Sequence, residues 1–319
     1  MSASMRVLGT FLLFLNCMCH VVWPAAATCS ASEPIPGIGP VGEIRQLETG
    51  FAFTEGPATD RQGNLFFTDI PKARIHKLNS QGELSTLTDQ SGHANGLMFD
   101  AAGELVVCEM DGQVVVRNLQ TGARRIWVAT YQNKRFNAPN DLVLDSGGGV
   151  YFTDPSFRSP KPLPQNSTSV YYASATGEVT RLIDELPNPN GILLSTDEQT
   201  LYVFPSGQPV MRAYRVLDRG KLDAGRNFCT LQSPPNGGFR GADGATLDVQ
   251  GNLYITSQLG VQVFNPEGKL LGLIELPEQP SNVTFGGRDG KTLIATARTS
   301  VYAAPMHVVG HRYDNGGKQ

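Results

Sequence analysis

The sequence predicts an all-β fold: a six-bladed β-propeller of four-stranded antiparallel blades, its ring closed by an N-terminal strand. Three observations lead there. One unit recurs six times, each copy carries a hairpin turn between apolar runs, and an unpaired apolar segment lies upstream of the first copy.

Each copy opens on a polar residue, alternates apolar residues up to a turn, and enters a second apolar run. The openings are Glu55-Gly56-Pro57-Ala58-Thr59-Asp60, Asn95-Gly96-Leu97-Met98-Phe99-Asp100 and Asn140-Asp141-Leu142-Val143-Leu144-Asp145. Asn190-Gly191-Ile192-Leu193-Leu194-Ser195 and Asp243-Gly244-Ala245-Thr246-Leu247-Asp248 follow, and the weakest copy is Ser281-Asn282-Val283-Thr284-Phe285-Gly286. The Asp-x-x-Gly turns ending at Gly63, Gly103, Gly148 and Gly251 are hairpin chemistry. Second strands begin at Leu65, Leu105, Val150, Leu201, Leu253 and Leu293. Copies start 38 to 53 residues apart, which suits a four-stranded blade and is too long for a leucine-rich repeat. The sixth copy has room for three strands before Pro305. Residues 43–47 supply the fourth by pairing near residues 300–304, which leaves no open edge. No composition break divides the repeats, so residues 28–319 read as a single domain with a polar tail from about residue 307.

Composition narrows the function classes. A 40% hydrophobic and 17% charged chain can bury a core and is not disordered. With 26 basic against 29 acidic residues and no basic run, no nucleic-acid partner is expected. Residues 1–27 read as an export signal peptide: Arg6 is the positive region, residues 7–15 are almost wholly apolar, and Ala25-Ala26-Ala27 is a cleavage site. Asn16 and His20 cut the run short of the ~20 apolar residues of a spanning helix. A secreted or periplasmic protein, off the membrane after cleavage and monomeric or dimeric, is the expectation. Cys29, Cys108 and Cys229 then remain. Their odd number and wide spacing indicate neither a disulfide framework nor a zinc site, and Cys108 and Cys229 read as small strand residues, with a bridge between them as the alternative.

The chain has no Gly-x-Ser-x-Gly elbow, HExxH helix, phosphate loop or dinucleotide fingerprint. What remains is the set of hard oxygen donors that open the repeats: Glu55, Asn95, Asn140, Asn190 and Asp243. A propeller delivers all of them to one mouth of its channel. Two carboxylates with amide carbonyls suit Ca²⁺ or Mg²⁺, and without a cation those carboxylates would be costly to crowd together. The bland alternative is that each merely caps a turn.

Seven motifs in order carry a resemblance across residues 53–305: Thr54-Glu55-Gly56-Pro57, Ala94-Asn95-Gly96-Leu97, Arg135-Phe136-Asn137-Ala138-Pro139-Asn140-Asp141, Tyr151-Phe152-Thr153-Asp154-Pro155, Leu186-Pro187-Asn188-Pro189-Asn190-Gly191, Ala242-Asp243-Gly244 and Thr296-Ala297-Arg298-Thr299-Ser300. The sequence thereby resembles the gluconolactonase and regucalcin (SMP-30) family of six-bladed, calcium-dependent propellers. The resemblance implies one divalent cation, Ca²⁺ or else Mg²⁺, Mn²⁺ or Zn²⁺, on Glu55, Asn140, Asn190 and Asp243. It implies Asp243 as general base in the hydrolysis of a sugar lactone such as gluconolactone. Asn95, Arg135, Arg240 and His93 are the expected substrate contacts. The family usually has Pro where this chain has Ala242, which leaves the loop of residues 236–240 open to a different substrate. A calcium-binding, non-catalytic carbohydrate-binding or interaction scaffold is the alternative, and another lactone or an organophosphate the third reading.

Overall fold

The structure is a computed structural model that describes Met1, residues 35–238 and residues 241–313. Beyond Met1, the expected export signal lies outside the described residues, as do Cys29 and Arg240.

Among the described residues six antiparallel sheets of four or five strands follow one another along the chain, with a two-stranded hairpin, Thr130–Tyr131 and Lys134–Arg135, between the second and third. Their innermost strands are Thr54–Thr59, Ala94–Phe99, Leu142–Leu144, Pro189–Leu194, Ala245–Leu247 and Pro280–Gly286. Blades 1, 2, 3 and 5 run outward in chain order through four strands. Blade 4 carries an additional hairpin strand, Lys221–Leu222, beside the long strand Val210–Asp218. Blade 6 has three C-terminal strands and takes its fourth from Arg45–Thr49, which pairs antiparallel with Ser300–Pro305. Closure by an N-terminal strand is therefore as expected, but two residues further along the chain than residues 43–47.

Large apolar side chains fill the space between neighbouring sheets. Phe66 packs on Phe99 across blades 1 and 2 with ring centroids 5.2 Å apart, and Tyr254 on Phe285 across blades 5 and 6 at 5.0 Å. Burying one such ring stabilises the fold by roughly 1.5–3 kcal/mol. Cys108 and Cys229 are free, buried, and packed in different clusters, so no bridge joins them.

Polar bonds knit the blades near the axis. Thr68, Thr153 and Thr256 on the second strands donate to the Asn95, Asn190 and Ser281 carbonyls of the following blades at 3.3, 2.8 and 3.0 Å. The Ser281 hydroxyl donates to the Thr54 carbonyl at 2.7 Å and joins blade 6 to blade 1. Each such bond contributes about 1 kcal/mol net. Asp69 and Asp154, directly after two of those threonines, accept the backbone N–H groups of Ala52 and Phe53 and of Asn137 and Ala138. They fix the loops that lead into the channel.

The tail beyond residue 306 is less polar in context than its composition implies. Val308 is buried, and the backbone bonds His307 to Ile38, Gly310 to Gly290 and His311 to Leu247, each at 2.9 Å. At its last described residue the Tyr313 hydroxyl donates to the Leu194 carbonyl at 2.5 Å, so the segment straps the channel end opposite the donors.

Candidate metal and lactone site

The repeat-opening donors stand where the innermost strands begin, on irregular backbone. Pairing register shifts after Glu55, between Ala94 and Leu97, at Pro189/Gly191 and at Pro280/Asn282. In blades 3 and 5 the strand starts only after Asn140 and Asp243. Bulged or pre-strand backbone re-aims a side chain from the sheet face toward the axis. The glycine after Glu55, Asn95, Asn190 and Asp243 has its reason here. The Gly96, Gly191 and Gly244 N–H groups donate to the carbonyls of Asn140, Asp243 and Ser281 in the next blade at 2.7, 2.9 and 2.8 Å. A Cβ on Gly56 would stand 1.8 Å from the Asn95 carbonyl oxygen.

Glu55, Asn95, Asn140, Asn190 and Asp243 all line one cavity of about 470 Å³ at this mouth. Asn190 Nδ2 donates to Asp243 Oδ1 at 2.7 Å and to Ser206 Oγ at 3.0 Å, which orients both site residues. Glu55 Oε2 accepts the Gly56 N–H at 2.9 Å. The buried Asn95 Oδ1 has no hydrogen-bond partner among the described residues.

Electrostatics single out the same place. Burial, then the nearby Asp243 charge, pushes the Glu55 carboxyl well above its usual range. Asp243 leaves part of its surface open to the channel, yet enclosure of its carboxyl group raises it to about 7, against the Asn190 hydrogen bond and the Arg298 charge, which lower it. Asp141, one level deeper, is raised to about 7, again chiefly by desolvation. The two buried carboxylates that line the cavity, Glu55 and Asp243, fit a hard divalent cation, as do the orphaned amide oxygen and an all-oxygen donor set. Among the described residues no three or more His, Cys, Asp or Glu are grouped to hold a metal ion, so a cation here would need amide oxygens beside Glu55 and Asp243.

Two expected substrate contacts lie elsewhere. Arg135 sits exposed on a two-residue hairpin strand and donates to the Phe136 and Asn137 carbonyls at 3.0 and 3.3 Å. His93 pairs with Asp111, its Nδ1 3.0 Å from Oδ1, and does not line the cavity. Arg240 is outside the described residues, while Gly241 and Ala242 beside its position do line the cavity. Sequence reasoning missed Arg298 and an apolar group formed by Ile70, Met110, Phe53 and Phe157, all lining the cavity, and the buried Asp141 carboxylate deeper in the channel. Asp141 was signalled by standing where four other copies have Gly. Arg298 lay in a quoted motif without a role, and the apolar group had no sequence signal, because its members come from three different repeats.

Fold and site together define a class: six-bladed propellers with an oxygen-lined pocket at one channel mouth. Residues 53–299 match the SMP-30/gluconolactonase/LRE-like region, and the chain belongs to that family. It is 32% identical over 285 residues to the gluconolactonase of Zymomonas mobilis, covering 81% of this chain and 80% of that protein. Among solved structures, a gluconolactonase of Xanthomonas campestris is 32% identical with a TM-score of 0.75, over 82% of this chain and 89% of that one. The calcium-binding protein regucalcin of Agrobacterium tumefaciens, 20% identical, shares the fold with a TM-score of 0.73 over 85% and 96% of the two chains.

Proposed function

We propose that the protein is a divalent-metal-dependent lactonase that hydrolyses the ring ester of a lactone, with gluconolactone the substrate to which its relatives' names point. The observation that carries this reading is the convergence of Glu55, Asn140, Asn190 and Asp243 on one cavity in a chain 32% identical to a gluconolactonase. Those four residues would hold the cation. When bound, it supplies Lewis acidity that polarises the lactone carbonyl.

The chain's own residues do the rest. Asn190 fixes one oxygen of Asp243, leaving the other to take a proton from the attacking water. Enclosure makes that carboxylate a stronger base than an exposed one, and the Arg298 charge opposes its protonation near neutral pH. Asn95, with an unpaired carbonyl and an amide bonded only weakly to Met110 Sδ at 3.9 Å, is placed to hydrogen-bond the substrate. If residues 1–27 act as an export signal, this chemistry takes place in the periplasm or outside the cell.

The test is hydrolysis of D-glucono-δ-lactone and a panel of aldonolactones, followed as acid release, with Ca²⁺ and with excess chelator. Turnover that vanishes with chelator and returns with Ca²⁺ supports the reading. A wild-type protein that turns over no lactone with any divalent ion, while Ca²⁺ raises its melting temperature, would be a scaffold instead.

A further inference from the structure

The loop that follows the second strand of each blade lies at the donor-bearing mouth, so the six loops form a ring above the metal-site residues. In blades 1 to 3 this ring is apolar. It presents Ile70 from the 3₁₀ turn Ile70–Lys72, Met110 after Leu105–Glu109, and Phe157 from the long connection after Val150–Asp154. Ile70 and Met110 are buried, and Phe53 and Phe157 pack against them, with Arg158 exposed at the rim. In blades 4 to 6 the corresponding residues are polar, Ser206, Gln258 and Arg298, and Ser257, which ends the second strand of blade 5, lines the cavity with Ser206 and Arg298.

The polar half offers few free partners. Ser206 Oγ donates to the Ala242 carbonyl at 2.9 Å and accepts from Asn190. Ser257 Oγ donates to the Gly260 carbonyl at 3.0 Å and accepts from Gln262 and Leu259. Arg298 gives one Nη2 bond to Gln279 at 2.6 Å and keeps other guanidinium donors for a ligand. A polyhydroxylated ring needs a partner for each hydroxyl it buries, because a buried polar group left unpaired is costly. Half of this ring offers only Arg158, at its exposed rim.

We infer that the preferred substrate is an amphipathic lactone: its ring ester lies at the donor residues and toward Arg298, and a non-polar arm lies against Ile70, Met110, Phe53 and Phe157. The inference rests on the lactonase reading and specifies the substrate within it. The hydrolytic step is unchanged. Water adds to the ring carbonyl, the ring C–O bond breaks, and the product is a hydroxy acid that keeps the arm.

The experiment measures kcat/KM for δ-valerolactone, δ-octalactone and δ-decalactone beside D-glucono-δ-lactone, all with Ca²⁺. The alkyl series should rise with arm length, by up to about fourfold per methylene, the ratio that corresponds to ~0.8 kcal/mol for each fully buried CH₂. Its longer members should exceed gluconolactone. Met110→Ser should flatten the dependence on arm length, and so should Phe157→Ser, which lies on a partly exposed loop and does not risk the fold. Chelator-treated protein should bind a δ-lactam with a pentyl arm more tightly than unsubstituted δ-valerolactam in calorimetry. Turnover of gluconolactone with no gain along the alkyl series, or variants that leave the series unchanged, overturns the inference and spares the lactonase reading. No turnover of any lactone removes both.

Discussion

Gly56→Ala tests whether close approach of neighbouring inner strands sets the donor ring. Gly56 has φ +48°, a left-handed conformation that alanine enters at a cost of ~1–2 kcal/mol. Its new Cβ would lie 1.8 Å from the Asn95 carbonyl oxygen, and real Cβ contacts essentially never fall below 3.0 Å. The obstructing atom is backbone and cannot rotate away, so the strands bearing Glu55 and Asn95 must part by at least about 1.2 Å. Overpacking of this kind costs ~1–3 kcal/mol, giving a total of ~2–5 kcal/mol. Gly103→Ala is the control, since Gly103 has φ +79° and nothing within 4 Å of its Cβ position. It should lose only the conformational cost. Urea unfolding measures both variants, and Ca²⁺ titration should show affinity falling ~10–100-fold for Gly56→Ala alone. Equal unfolding midpoints for the two variants, with unchanged Ca²⁺ affinity, would refute the reasoning.

Asp243→Asn should lower lactone hydrolysis ~10²–10⁴-fold, because an amide cannot take the proton. At pH 8 without metal the variant should be at least as stable as wild type, since it removes a carboxylate that burial disfavours in its charged form. Turnover at the wild-type rate would take the base role from Asp243. Tyr313→Phe should cost about 1 kcal/mol through its bond to the Leu194 carbonyl, and truncation after Gly310 should cost more. A truncated protein with wild-type urea resistance would show that the strap does not hold the lower channel end. Burial lowers the pKa of His76 below 6.5, so the unfolded chain takes up the proton first as pH falls. The stability His76 contributes is therefore full above pH 6.5 and declines as pH drops toward the folded value. His76→Phe, which keeps the ring packing on Phe51 and Phe67, should remove that decline from the difference between the two stability-against-pH curves. Curves that stay parallel from pH 7.5 to 5 would contradict this. The exported protein should begin at Thr28 by N-terminal sequencing, and retention of residues 1–27 would exclude cleavage there.

Much of this protein is written locally. The Asp-x-x-Gly turns and alternating apolar runs specify hairpins from neighbouring residues alone, so blade number, strand pairing within blades and the missing sixth-blade strand are legible in one dimension. The same holds for the donors, since repetition places Glu55, Asn95, Asn140, Asn190 and Asp243 at equivalent positions, and a closed ring of equivalent positions shares one axis.

Only the tertiary structure decided which way the loops face and what the blades give one another. Arg135 and His93 lie near the donors in sequence, yet neither lines the cavity, Arg135 bonding backbone carbonyls and His93 pairing with Asp111. Thr68, Thr153 and Thr256 look like ordinary strand residues until their hydroxyls meet carbonyls of the following blade. The depth of Asp141 and the split between an apolar and a polar half of the mouth likewise depend on residues from separate repeats. Local sequence fixes hydrogen-bonding and side-chain periodicity within a hairpin. The direction of a long polar side chain is set by partners that only ring closure brings within reach.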